Sequence, residues 1–260
     1  MIRWCAYCQN FIGESEPFTD YSLTNGICAD CTVKMKNKDF QGLEAARKLA
    51  EYYQELKLAS VEGETGKIEK IVEKGLLLGI KPENIAIGMI RPILYRIGNL
   101  WSTGEATVAE EHKITANCSL MLEILFKKSE NKIVPAGRTK VLLVPADGNY
   151  HILGLRVIEI FLRVSGIKAE VITPGLPAAE IQKIAAELKP EYIGISVSLS
   201  SQFASVRDLA LRLKKWPQAT RPKLIIGGNA VRMGLTILPE WDIEVMSDFR
   251  DLIERIKTPA

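Results

Sequence analysis

Residues 139–154, TKVLLVPADGNYHILG, decide the fold. Val141 to Val144 make a short, valine-flanked apolar run bounded by Pro145 and Gly148, the composition of a strand buried on both faces of a parallel sheet. The run breaks at Asp147-Gly148 and delivers His151 just ahead of a new helical pattern. In such sheets ligands bind in the crevice beyond the carboxyl ends of the strands, so a histidine on the loop after the first strand is expected in the binding region. His112 and His151 are the only histidines in the chain. Neutral imidazole is the commonest metal ligand, and the group bonded to its second nitrogen fixes which nitrogen faces the metal. Asn149, two residues earlier, is the candidate for that bond.

Downstream of this stretch the pattern alternates between strand and helix. Strands are expected near 141–146, 168–173, 192–198, 223–226 and 243–246, with helices between them and a last helix near 248–257. Five strands in this rhythm predict a doubly wound parallel sheet of flavodoxin-like type. No Gly-x-Gly-x-x-Gly follows the first strand, and no Gly-x-x-x-x-Gly-Lys-Ser occurs, so ordinary dinucleotide and P-loop readings fail. The third strand ends in IGISVSLSS, which places Ser196 and Ser198 at the same edge as His151. The fourth ends in LIIGGNAV, where Gly227-Gly228 removes side chains and lets a large flat group approach the backbone. Together the three loops predict one elongated slot.

Upstream, Asn131 to Thr139 reads as a linker, and residues 40–128 are helical throughout. Helices are expected over 40–61, over 64–78 with Ile68, Ile71, Val72 and Leu76 on one face, from Pro82 to Trp101 with a kink at Pro92, and over 107–128. Gly79 closes the second, and Ser102-Thr103-Gly104 turns the third into an antiparallel fourth, so the segment is a four-helix bundle. Val108, Glu111 or His112, Thr115 and Ser119 recur at helical spacing as a polar, histidine-bearing stripe. Trp101 sits at the facing helix end, where it can offer an apolar plate to a flat ligand.

The first 31 residues hold Cys5-x-x-Cys8 and Cys28-x-x-Cys31, four of the five cysteines in the chain. Two such pairs bring four thiolates to the corners of a tetrahedron, the arrangement of a closed structural zinc site, with iron as the competing metal and a pair of disulfides as the alternative without one. Gly26 is expected to support a tight knuckle turn before Cys28. Some 30 residues bury little core, so the metal is expected to hold the module together, in a site closed by residues of the module alone. Val33 to Asp39 reads as a basic, polar connector. The expected organisation is a four-cysteine zinc module over 1–33, a four-helix bundle over 40–130 and an α/β domain over 139–260.

Composition excludes several classes. Hydrophobic residues at 47% and charged residues at 25% are ordinary for a soluble globular protein, and no apolar run approaches the ~20 residues that span a bilayer. The chain starts without a basic end and apolar core, so no secretory signal and a cytoplasmic location are expected. A formal net charge of +3, scattered along the chain, gives no argument for nucleic acid.

Residues 40–240 resemble the cobalamin-binding fold shared by methionine synthase, corrinoid methyl carriers, mutases and cobalamin photoreceptors. The family pattern Asp-x-His-x-x-Gly appears as Asn149-Tyr150-His151-Ile152-Leu153-Gly154, Ser-x-Leu as Ser196-Val197-Ser198, and Gly-Gly as Gly227-Gly228. The first two depart from the pattern, with asparagine for aspartate and Ser198 for leucine. The resemblance implies that His151 replaces the nucleotide base below cobalt and that Ser196 and Gly227-Gly228 line the pocket for the base tail. Uncharged Asn149 then leaves a less basic ligand than aspartate would.

Trp101 followed by Glu111-His112 looks like the cap of cobalamin-dependent light sensors, which covers the upper face of adenosylcobalamin; methyl carriers usually lack this glutamate and histidine. That likeness implies that Trp101, Val108, Glu111 and His112 enclose the upper ligand. Ser102 stands where several photoreceptors have the histidine that captures cobalt after light, which leaves His112 as the only imidazole able to substitute. The DNA-binding helix-turn-helix of such sensors is replaced by the cysteine module. The expectation is therefore a cobalamin-binding signalling protein, not an enzyme, holding adenosylcobalamin (with methyl- or hydroxocobalamin as alternatives) and zinc. It would be a homo-oligomer acting on a signalling partner protein, not on DNA or a membrane. The competing expectation is a corrinoid methyl carrier; a mutase subunit would need a large substrate barrel that the chain does not supply.

Overall fold

The computed structural model of the chain describes residues 1–34, 42–129, 137–232, 234, 237, 239–246 and 249–257. It divides into two compact units, Met1–Glu130 and Asn131–Ala260.

The first unit begins with a three-stranded sheet of β1 (Ile2–Cys5), β2 (Phe11–Glu14) and β3 (Leu23–Gly26), followed by a short helix α1 (Ala29–Lys34). β1 is central, antiparallel to β2 and parallel to β3. Ile2 and Trp4 are buried and Arg3 between them is exposed, the alternation of a strand with one covered face. Gly26 ends β3 opposite Cys5, and the left-handed backbone of the first cysteine turn falls at Gln9, with φ of 55°. The knuckle glycine expected at Gly26 is thus a strand residue. Val33 and Lys34 belong to α1, so the expected connector begins later; its residues 35–39 lie outside the described residues, as do 131–136 of the expected linker.

Four helical segments follow: α2 (Gly42–Glu62); α3 (Thr65–Leu77); a continuous rod built from α4 (Pro82–Ile85), a π-helical turn (Ala86–Ile90) and α5 (Arg91–Ser102); and α6 (Val108–Ser129). Ile68, Ile71 and Val72 of α3 are buried as their spacing requires, while Leu76 is only half-buried. Gly79, with φ of 81°, closes α3 by donating to the Leu76 carbonyl while Ile80 donates to Gly75. The kink expected at Pro92 takes the form of the π turn. Proline has no N–H, and its ring crowds the carbonyl four residues back; widening the turn, with the Arg91 N–H reaching Ala86, relieves both.

The second unit is a five-stranded, all-parallel sheet with α7 to α11 around it. β4 (Val141–Pro145) leads through α7 (Leu153–Val164) to β5 (Ala169–Val171) and through α8 (Ala178–Leu188) to β6 (Tyr192–Ser196). α9 (Phe203–Leu213), β7 (Lys223–Gly227), α10 (Asn229–Arg232), β8 (Ile243–Val245) and α11 (Phe249–Lys257) complete it. The strand order β5-β4-β6-β7-β8 is the flavodoxin-like one, with its switch point between β4 and β6. Alternate residues of the strands face opposite layers: Leu142, Val144, Ile193 and Ile195 pack on α8 and α9, and Val141, Leu143 and Tyr192 on α7 and α11. All five residues of β4 are buried, which explains why the stretch carries no hydrophilic alternation.

Candidate functional site

At the switch point the loops after β4 and β6 are joined through one side chain. Asn149 is buried, and its Nδ2 donates to the Ser196 carbonyl at 2.8 Å. Its Oδ1 accepts the His151 backbone N–H at 3.0 Å and the Ser198 hydroxyl at 3.1 Å. Both lone pairs of that oxygen are occupied, so the bond expected from the His151 ring to Asn149 is not the one formed. Asn149 instead fixes the backbone that presents His151, whose side chain is exposed.

Gln202, which the sequence reading missed, adds a second stitch. Its Oε1 accepts the N–H groups of Ser198 and Leu199 at 3.0 and 3.1 Å, and its Nε2 donates to the Gly148 carbonyl at 3.2 Å. A glutamine in the third position from Leu199, at the start of a helical run, is a local capping signal and was available in the sequence.

The loops after β4 and β6 therefore meet through Asn149 and Gln202. The paired glycines serve two different ends. A side chain at Gly228 would strike the Val197 backbone at 2.5 Å, so this glycine is required by the packing of two loops. At Gly227 the nearest atom, the Met246 carbonyl oxygen, is 3.6 Å away, an ordinary contact. Gly154 is exposed in the first turn of α7, and a side chain there would meet nothing within 4 Å. Packing within the chain accounts for Gly228 but not for Gly154 or Gly227.

In the helical unit Trp101 ends α5 and is 46% exposed, and Val108 opens α6 at 53%. Glu111 is mostly covered; its Oε1 accepts the Thr115 hydroxyl at 2.7 Å, and its other oxygen lies 3.6 Å from Nε2 of the largely exposed His112. Ser102 is turned onto its own helix, donating to the Asn99 carbonyl at 2.8 Å.

The four cysteines of the first unit form one cluster, with all sulfurs within 4.8 Å of one another. A tetrahedral zinc with arms of ~2.3 Å gives sulfur–sulfur edges of about 3.8 Å, and Cys8 and Cys28 stand at 3.7 Å. The Cys28 N–H points at the Cys5 sulfur at 3.5 Å, the kind of contact that steadies a thiolate. Burial pushes the Cys5 thiol up, but the N–H groups of Cys8, Cys28 and Tyr7 outweigh it and bring it down to about 6. Burial, reinforced by the neighbouring thiols, pushes Cys8 up to about 12. Four sulfurs cannot all ionise at this distance without a cation among them, so the donor set fits a thiophilic metal.

The module is not free-standing. The Trp4 ring fills the space over Gly88 in the π turn, and Asn84 Nδ2 donates to Asn10 Oδ1 at 3.0 Å. Arg91 pairs with Glu14 at 2.7 Å with both side chains under one-fifth exposed, and Asn99 Nδ2 donates to the Tyr21 hydroxyl at 2.7 Å. The cysteine strands and the Pro82–Ser102 rod are therefore one packed body: the four sulfurs all come from the module, and its apolar face is completed by the bundle.

Comparison with known proteins agrees with this geometry. Models of the B12 binding domain match residues 52–125 and 139–257. The chain is 23% identical over 238 residues to the HTH-type transcriptional repressor CarH of Myxococcus xanthus, covering 87% of this chain and 77% of that protein. It is 24% identical over 198 residues to dimethylamine corrinoid protein 3 of Methanosarcina acetivorans, covering 73% and 84%. The monomethylamine corrinoid protein of Methanosarcina barkeri has the same fold, with a TM-score of 0.63 at 15% identity over 80% of this chain and 97% of that one. With a B12 binding domain in the helical unit and a second on the parallel sheet, the chain belongs to the cobalamin-binding family.

Proposed function

We propose that this protein is a cobalamin-dependent signalling protein, a sensor of light or of cobalamin itself, that uses adenosylcobalamin and passes a change in its helical unit to the cysteine module. His151, held out by the Asn149 and Gln202 stitches, is the lower ligand to cobalt. Ser196, Ser198, Gly154, Gly227 and Gly228 lie along the path of the nucleotide tail, and Trp101, Val108, Glu111 and His112 receive the upper axial group. Bound cobalamin supplies a cobalt–carbon bond that light can break. What the chain supplies is an exposed imidazole, an apolar plate at Trp101 and a carboxylate at Glu111 able to accept hydrogen bonds from a sugar or base.

The observation that carries this reading is the docking of the cysteine module on the rod that ends in Trp101. Trp4 on Gly88, Glu14 on Arg91 and Tyr21 on Asn99 give a route from the cap tryptophan to the module within one body. A transmitter needs such a route; a methyl carrier does not. Zinc in the four-cysteine site would set the strand geometry on which those contacts depend. The output then runs through a partner protein or the interface of a homo-oligomer, without direct DNA binding. Among the described residues no helix is long and apolar enough to cross a membrane.

A second reading, a corrinoid methyl carrier, is supported by the likeness to the dimethylamine corrinoid protein. Absorption spectra of the protein with adenosyl- and methylcobalamin, in darkness and after green light, separate the two. The sensor requires preferential adenosylcobalamin binding and a light-dependent change in spectrum and in scattering profile or oligomeric state. Equal binding of both forms with unchanged hydrodynamics, together with methyl transfer to a cognate methyltransferase, favours the carrier.

A further inference from the structure

The seam between the cysteine module and the bundle contains a cavity of about 500 Å³, walled by residues 19–23 on one side and by α2 and Arg96 of α5 on the other. That volume lies in the range of sites for small organic ligands. Two cations, Lys57 and Arg96, line it, and among the described residues neither has a carboxylate within ion-pair distance. Some cations of the same unit do, Lys48, Lys67, Lys74, Arg91 and Lys128 among them. The one acid in the wall, Asp20, accepts the Ser22 N–H at 2.9 Å. Lys57 lies 4.9 Å from the centre of the Tyr53 ring, so an aromatic face adjoins its charge.

We propose that this cavity is a second ligand site, separate from the cobalamin residues, which takes a small organic oxyanion, a phosphate or carboxylate on a compact body. Lys57, seated over the buried Tyr53 ring, and Arg96 hold the charged group, and Tyr21 flanks the body. A tetrahedral or planar oxyanion accepts hydrogen bonds from both an ammonium and a guanidinium. Burial, and then the nearby Arg96 charge, hold Lys57 below its ordinary value, a strain that an anion between the two cations relieves. Because one wall belongs to the module and the other to the bundle, a ligand here would brace the seam. Asn99, bonded to Tyr21, lies two residues before Trp101, so the brace acts on the segment that carries the proposed cap.

Calorimetric titration of the full-length, metal-loaded protein at fixed ionic strength tests this, with inorganic phosphate, phenyl phosphate and benzoate as probes. Saturable binding is expected for phenyl phosphate or benzoate, tighter than for inorganic phosphate, and whichever aryl probe prevails identifies the headgroup. Lys57→Met together with Arg96→Met should weaken it at least tenfold, while Lys57→Arg should retain it. The far-ultraviolet spectrum and cobalamin absorption of each variant report that it is folded. The proposal is overturned if no probe saturates, if inorganic phosphate binds as tightly as the aryl probes, or if folded variants bind like the parent.

Discussion

The indole of Trp4 occupies the position that a side chain at Gly88 would need: a Cβ there would lie 2.4 Å from the ring. Alanine is favoured over glycine in a helix by ~1 kcal/mol, so Gly88→Ala would ordinarily stabilise the rod. Here the rigid ring must move, and overpacking of this kind costs about 1–3 kcal/mol. Urea denaturation should show Gly88→Ala destabilising the parent but neutral or stabilising in a Trp4→Ala background. The same effect in both backgrounds would mean that the strands and the rod do not pack as one body.

Metal removal should therefore reach beyond the cysteines. One zinc per chain is expected, and stripping it should loosen the rod as well as the module. In hydrogen exchange, amides of residues 82–102 should lose protection on chelation while those of 141–196 do not. Loss confined to residues 1–34 would restore the picture of an independent module.

Thiol reactivity separates the five cysteines. Burial pushes Cys118 up to about 12 and leaves it without solvent access, so it should be inert in the folded protein. The metal-loaded protein should show no fast-reacting thiol; in the chelated, loosened protein Cys5, held down at about 6, should react first and Cys8, pushed up to about 12, slowly, with Cys118 reacting only in denaturant. A fast thiol in the loaded protein would mean that one of the four sulfurs is not a ligand.

His151→Ala should weaken cobalamin binding or return the bound cofactor to a base-on or water-ligated spectrum, with no loss of fold because the side chain is exposed. Asn149→Ala should behave differently. It leaves the Ser196 carbonyl and Ser198 hydroxyl short of a buried partner, at about 1–3 kcal/mol of stability before any cofactor is added. Unchanged apo stability in Asn149→Ala would remove its role as the loop tie.

Trp101→Ala should reduce the preference for adenosyl- over methylcobalamin by roughly tenfold, the scale of burying part of one aromatic ring. Equal preference before and after the substitution, measured by competition at equilibrium, would take Trp101 out of the upper-ligand pocket.

The sequence by itself determined the order and kind of the main elements from residue 42 onward, though not the three strands around the cysteines, because strand and helix periods and their Gly and Pro stops are short-range signals. The apolar run at 141–145, the helix stop at Gly79, the start at Pro82 and the disturbance at Pro92 are all where the local pattern puts them. So are the two cysteine pairs and the position of His151 after the first strand of the sheet. What only the tertiary structure decided are contacts between residues far apart in the chain. Asn10 meets Asn84 across 74 positions and Glu14 meets Arg91 across 77, which turns a small module into part of the bundle. Asn149 meets Ser198 across 49, which makes it a tie between loops where the local spacing suggested a partner for the His151 ring. Gly228, read as an opening for a ligand, also seats the Val197 backbone, a contact invisible in sequence because a missing side chain looks the same whichever neighbour fills the space.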